Sequence, residues 1–138
     1  MTRSVENIRN VIICDDIRDE VGNKQSLMGI FGGDDIIVAA FPAAIHLAVF
    51  MQYFPAPSEE DGRLTLQIEL SQDESLMARG TLDIDVKRSE PATIVMPRAL
   101  ATFKQESLFK VEVSLDGGPK QQIAQKRVKL GDISNRPS

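Results

Sequence analysis

The stretch Arg63-Leu64-Thr65-Leu66-Gln67-Ile68-Glu69-Leu70-Ser71 sets an apolar side chain at every second position. Leu64, Leu66, Ile68 and Leu70 fall on one face of an extended chain, and Thr65, Gln67, Glu69 and Ser71 fall on the other. A period of two is that of a β-strand with one face in a core and one in water. The same alternation returns at Leu82, Ile84 and Val86, and again at Phe109, Val111, Val113 and Leu115. Residues 45–54 are more apolar, with Ile45, Leu47, Val49, Met51 and Tyr53 on one face and Ala48, Phe50 and Phe54 on the other. They predict a central strand covered on both sides. Weaker strand patterns occupy residues 8–14, 26–31, 36–40, 92–96 and 122–130, the last expected at the edge of a sheet. Two stretches predict a turn or two of helix instead: residues 15–21, where Ile17 and Val21 stand four apart, and residues 98–105 behind Pro97.

Turn chemistry separates these runs. Gly22-Asn23, Gly32-Gly33, residues 55–62 and Asp116-Gly117-Gly118-Pro119 supply positive φ or a fixed proline φ where the chain must reverse. Many short strands with frequent turns predict an all-β fold, an antiparallel sandwich of about seven to nine strands with little helix. The chain has 138 residues and one cysteine, Cys14, so no intramolecular disulfide can form. The organisation expected is one sandwich domain over residues 1–131 and a polar, frayed tail over 132–138. No apolar run approaches the roughly 18 residues of a membrane span, and the first 15 residues lack a signal-peptide core. A soluble cytoplasmic protein, without membrane contact, is expected.

The residues from Cys14-Asp15-Asp16-Ile17-Arg18-Asp19-Glu20 through Val21-Gly22-Asn23-Lys24-Gln25-Ser26-Leu27-Met28-Gly29-Ile30-Phe31 form the most distinctive segment. It resembles the N-terminal signature of a family of short, uncharacterised bacterial and phage-associated proteins: an acidic patch, then Glu, Gly and Lys, then Ser-Leu-x-Gly-Ile-Phe, with Phe41-Pro42 further on. The later stretch around Asp116-Gly117-Gly118 is similar to that family's closing strands. The resemblance implies a small β-sandwich of immunoglobulin-like character over most of the chain, and it implies no activity. Read physically, Gly22-Asn23 makes a turn, Gly29 gives room to a close neighbour, and Lys24 can pair with Asp16 or Glu20. The alternative is that Asp15, Asp16, Asp19 and Glu20 gather a cation or a basic partner. The Asp-x-Asp-x-Asp-Gly spacing of a calcium loop is missing, and Arg18 and Lys24 already neutralise part of the patch. No metal or cofactor is expected.

Catalytic sets are hard to assemble from this chain. His46, the one histidine, lies between Ile45 and Leu47 in an apolar strand, where a ring faces water or finds a single hydrogen bond. Cys14 follows Val11-Ile12-Ile13 and reads as a small buried residue. Asp83 with Asp85, and Glu59-Glu60-Asp61, read as solvated carboxylates, whereas general acid catalysis needs a carboxyl in an apolar cleft. Gly32-Gly33-Asp34-Asp35 lacks the Lys-Ser/Thr of a phosphate loop.

Charge is divided unevenly. Residues 1–96 hold 8 basic and 16 acidic side chains, and residues 97–138 hold 8 basic and 4 acidic ones, within a net charge of −4. The C-terminal basic set is Lys110, Lys120, Lys126, Arg127, Lys129 and Arg136. Without tryptophan and with one tyrosine it lacks stacking platforms, so nucleic acid is an unlikely ligand. The reading favoured is a non-catalytic protein-interaction or assembly module, possible in a phage or prophage setting, with an unknown protein partner and self-association among its modes. Asp15, Asp16, Glu20, Lys24, Phe50, Phe54, Lys126, Arg127 and Lys129 are its candidate contact residues. The alternatives are a small-molecule or carbohydrate-binding sandwich using the loop at residues 54–62, and an enzyme of unrecognised type.

Overall fold

The structure, a computed structural model, describes residues 3–131, so the tail expected at 132–138 lies outside the described residues. Nine strands occur among the described residues: β1 (Ile8–Glu20), β2 (Lys24–Ile30), β3 (Asp35–Val38), β4 (Ala43–Tyr53), β5 (Gly62–Gln72), β6 (Ser75–Val86), β7 (Ala92–Phe103), β8 (Ser107–Leu115) and β9 (Gln121–Leu130). A short 3-10 turn at Val5–Asn7 precedes them, capped by Ser4, whose Oγ accepts a bond from the Glu6 amide at 3.1 Å. A four-stranded sheet runs β2-β1-β4-β7, and a five-stranded sheet runs β3-β9-β8-β5-β6. The expected sandwich is therefore present. Its strand pairs are antiparallel except at one edge, where β3 lies parallel to β9 from Asp35 beside Arg127 to Val38 beside Leu130.

The alternation explains the layering. Leu64, Leu66, Ile68 and Leu70 of β5 and Phe109, Val111 and Val113 of β8 are all almost wholly buried. They face Leu47, Val49, Met51 and Tyr53 of β4, which are equally inaccessible and belong to the same core. Each such side chain contributes about 1.5–3 kcal/mol on leaving water. Phe103 at the end of β7 meets Phe109 of β8 edge to face, with centroids 6.3 Å apart and planes at 81°, so one aromatic pair links the two sheets. On its other face β4 is covered in part: Ala48 is wholly buried, Phe50 is half-buried, and Ala44 and His46 are exposed. That strand is central by pairing, and its second side is covered at Ala48 and only partly elsewhere, which narrows the two-sided expectation.

Both expected helical stretches are strand over most of their length. Residues 15–20 continue β1, because their backbone pairs with β2 from Asp16 beside Met28 to Glu20 beside Lys24. A one-turn helix fixes several residues for a single hydrogen bond, and a cross-strand ladder outcompetes it. Residues 98–103 continue β7 against β4, from Leu47 beside Ala99 to Ala43 beside Phe103. Pro97 does not end that strand, since the register of the pair shifts between Leu47–Ala99 and Val49–Met96, and β7 is the sheet edge. An edge bulge is one of the few strand positions that tolerates a missing amide hydrogen. The stretch 122–130 is not an edge: β8 flanks β9 on one side and β3 covers its second half.

Truncating the aromatic link tests this packing. Phe109→Ala should lower unfolding free energy by about 3–5 kcal/mol in urea titrations, the usual cost of a large aromatic removed from a core.

Candidate functional site

Beyond Cys14, β1 leaves β4 and pairs only with β2. The last β1–β4 partner is Cys14 beside Ala48, whereas β1–β2 pairing runs on to Glu20 beside Lys24. The result is a two-stranded arm that turns at Val21-Gly22-Asn23, with Gly22 at φ +88° and Asn23 at φ +58°. Val21 at its tip is 94% exposed and Ile30 at its base is 55% exposed. Gly29 is required at the root of the arm: its φ is +65°, and a Cβ there would stand 2.8 Å from Asp15 Cγ. The acidic residues do not converge. Successive strand residues point to opposite faces, so Asp15 and Asp19 separate from Asp16 and Glu20. Asp16 accepts the Ile17 amide at 2.9 Å and pairs with Arg18 at 3.7 Å rather than with Lys24, while Glu20 accepts the Ser26 hydroxyl at 3.3 Å. Lys24 is exposed, directly across the ladder from Glu20. Among the described residues no group of three or more His, Cys, Asp or Glu side chains could hold a metal ion.

The remaining expected contact residues are dispersed. Phe50 lies half-buried on the outer face of the four-stranded sheet, between Ile12 of β1 and Val95 of β7. Phe54 follows β4, half-buried, with the Arg9 guanidinium 5.2 Å from its ring centroid. Of the basic residues of β9, Arg127 and Lys129 both pair with Asp35 of β3, at 3.1 Å and 3.6 Å, and Lys126 donates to the Gly33 carbonyl. These cations hold the parallel edge strand in place. Cys14 is wholly buried, its thiol directed at the Asp16 carbonyl, and burial pushes its pKa up, away from a reactive thiolate. His46 stands exposed opposite Leu100.

Two polar constellations have no counterpart in the sequence reading. The first closes one end of the sandwich. Glu59, read as a solvated loop carboxylate, is 5% exposed. It accepts bonds from Tyr53 Oη at 2.7 Å and Arg3 Nε at 3.1 Å, and Arg3 Nη1 also donates to Asp116 Oδ2 at 2.9 Å and to the Arg63 carbonyl at 3.1 Å. Asp116 Oδ1 accepts the Thr65 amide at 3.0 Å. Three segments distant in sequence thus share one network. The only clue was a solitary tyrosine ending an apolar strand, because a buried phenol requires a partner. The second lies on the five-stranded sheet, where Glu69 accepts bonds from Lys120 at 3.0 Å and Arg79 at 3.1 Å. Those cations, Lys120 first, hold its carboxyl below the ordinary carboxylate range against the effect of its burial.

Burial, reinforced by the Glu59 carboxylate, raises the Tyr53 phenol to about 12. The native state then keeps its proton where the unfolded chain, at about 10, loses it. This contribution to stability is complete below pH 10 and vanishes as pH rises towards 12. Tyr53 is the one tyrosine and there is no tryptophan, so the tyrosinate absorbance band reports it alone. Its titration midpoint in the native protein should lie near 12, and in Glu59→Ala it should fall only part of the way towards the ordinary tyrosine value, because burial of the ring remains.

No curated protein and no solved structure matches the chain. A family of unknown function, DUF6941, matches residues 9–126, a span that includes the β1–β2 arm and every strand from β2 to β8. The chain is a member of that family.

Proposed function

We propose that this protein is a non-catalytic module that binds a protein partner through the β1–β2 arm. One observation carries the reading: an apolar tip, Val21, is 94% exposed on a two-stranded hairpin that has left its sheet. A lone hairpin is marginal in water, and a valine 94% exposed at its tip buries almost nothing within the chain. Contact with a partner would cover Val21 and Ile30 and extend the sheet from the outer edge of β2. The mixed charges of Asp19, Glu20, Arg18 and Lys24 around the tip would form the polar rim of such a contact. The order β9-β8-β5-β6 opposite β4-β7 supports an immunoglobulin-type reading, with G-F-C-C′ strands facing B and E. Resemblance of residues 14–31 to phage-associated proteins extends the proposal to an accessory role in a virus particle or prophage.

The carbohydrate-carrier reading loses support at the loop on which it rests. Glu59 of that loop is committed to Tyr53 and Arg3, and the tyrosine is wholly buried, so neither offers a sugar-binding face.

Affinity capture from the native host, compared between the wild type and a Val21→Asp, Ile30→Lys variant, tests the proposal. Both changes fall on exposed positions, so the variant should melt within a few degrees of the wild type. A near-stoichiometric protein retained by the wild type and lost by the variant is the expected result. The same retained proteins in both samples would refute docking through the arm.

A further inference from the structure

The five-stranded sheet ends on β6, which pairs with β5 on one side and with no strand on the other among the described residues. An open edge is a row of free amides and carbonyls, and natural edges are blunted by shortness, proline, lysine or bulges. Two other outer strands use these devices: β3 has four residues, and β7 carries Pro97 at its bulge. The β6 segment Ala78-Arg79-Gly80-Thr81-Leu82-Asp83-Ile84-Asp85-Val86 has no proline or lysine, and its register with β5 is unbroken from Ala78 beside Leu70 to Val86 beside Gly62. The one register shift of β6 against β5, at Met77, lies outside this stretch, which is long and regular.

Its side chains are also complementary to themselves. We propose that two copies of the chain pair antiparallel along β6, about a two-fold axis at Thr81. That register sets Arg79 opposite Asp83 of the second copy, twice by symmetry, with Asp85 diagonally next to the same guanidinium. On the inward face Leu82 meets Gly80 and Ile84 meets Ala78, a large residue against a small one each time. The two Thr81 side chains meet at the axis, and threonine pairs are favourable across strands. Moving the axis by one residue to Leu82 would instead bring the two Asp83 carboxylates diagonally together, which like charges oppose. Within one chain Arg79 pairs with Glu69 at 3.1 Å through Nε, so other guanidinium donors remain to meet Asp83 of the second copy. The pairing would join two five-stranded sheets into one, an isologous contact of the kind that closes a dimer. It lies on the side of the sandwich away from the β1–β2 arm and does not rest on the partner reading given for that arm.

Light scattering at tens of micromolar protein should give twice the chain mass of 15.2 kDa. Thr81→Lys, on an exposed position, sets two lysines face to face at the axis and should give a monomer with an unchanged β-type circular dichroism spectrum. Cysteine variants test the register without relying on that outcome. Thr81→Cys should form a disulfide-linked dimer on mild oxidation, because directly opposed residues lie within disulfide reach. Asp85→Cys should not, since its two copies would stand eight positions apart, roughly 27 Å at the strand rise. Cys14 is buried and does not compete. A monomeric wild type, a Thr81→Lys dimer, or equal cross-linking at positions 81 and 85 would each overturn the proposal.

Discussion

The inward faces of β4, β5 and β8 must leave water together, and most of this molecule follows from that constraint. Leu47, Val49, Met51 and Tyr53 on one sheet, and Leu64, Leu66, Ile68, Phe109, Val111 and Val113 on the other, are almost completely inaccessible. A strand that buries every second residue cannot slip by one position without turning its apolar set outward. Register is therefore fixed at the centre, and freedom remains only at the ends and edges. Buried polar atoms follow the same logic. Tyr53 enters the core for its ring and needs an acceptor for its hydroxyl, so the 54–61 loop folds inward to supply Glu59, which Arg3 then neutralises.

Legibility in the sequence tracks that division. β5 and β8 are readable because their faces differ sharply in polarity, and their observed bounds enclose the alternating residues. The arm reads in part as helix because it buries little: with residues 15–20 half-buried or exposed, no clear period of two is imposed on them. Ile17 and Val21 at a helical spacing then dominate the pattern. The 98–103 segment was obscured by Pro97, which marks a boundary in most strands but occupies an edge bulge here. The parallel β3–β9 edge was invisible for a different reason, since nothing local in four residues indicates a partner more than ninety positions away.

The candidate contact residues divide along the same line. Arg127, Lys129 and Lys126 looked like a free basic edge, yet their partners, Asp35 and the Gly33 carbonyl, belong to the segment that covers β9. Charge counted along a sequence does not reveal which cations are already satisfied. Phe50 lies on the face of β4 opposite Met51 and Tyr53, and the incomplete cover on that side of the four-stranded sheet leaves it half-buried. What the chain leaves available is backbone: the outer side of β2 on the arm and the long edge of β6. Both readings of function drawn from this fold rest on strand edges.

A rigid centre with an independently exposed arm is the central claim, and amide hydrogen exchange resolved along the chain tests it most directly. Exchange from native proteins ranges from local fraying to global unfolding. Amides of β4, β5 and β8 should exchange only with global unfolding, and those of residues 16–28 should exchange orders of magnitude faster through local opening of the arm. Equal protection of the arm and of β5 in the isolated protein would contradict the account.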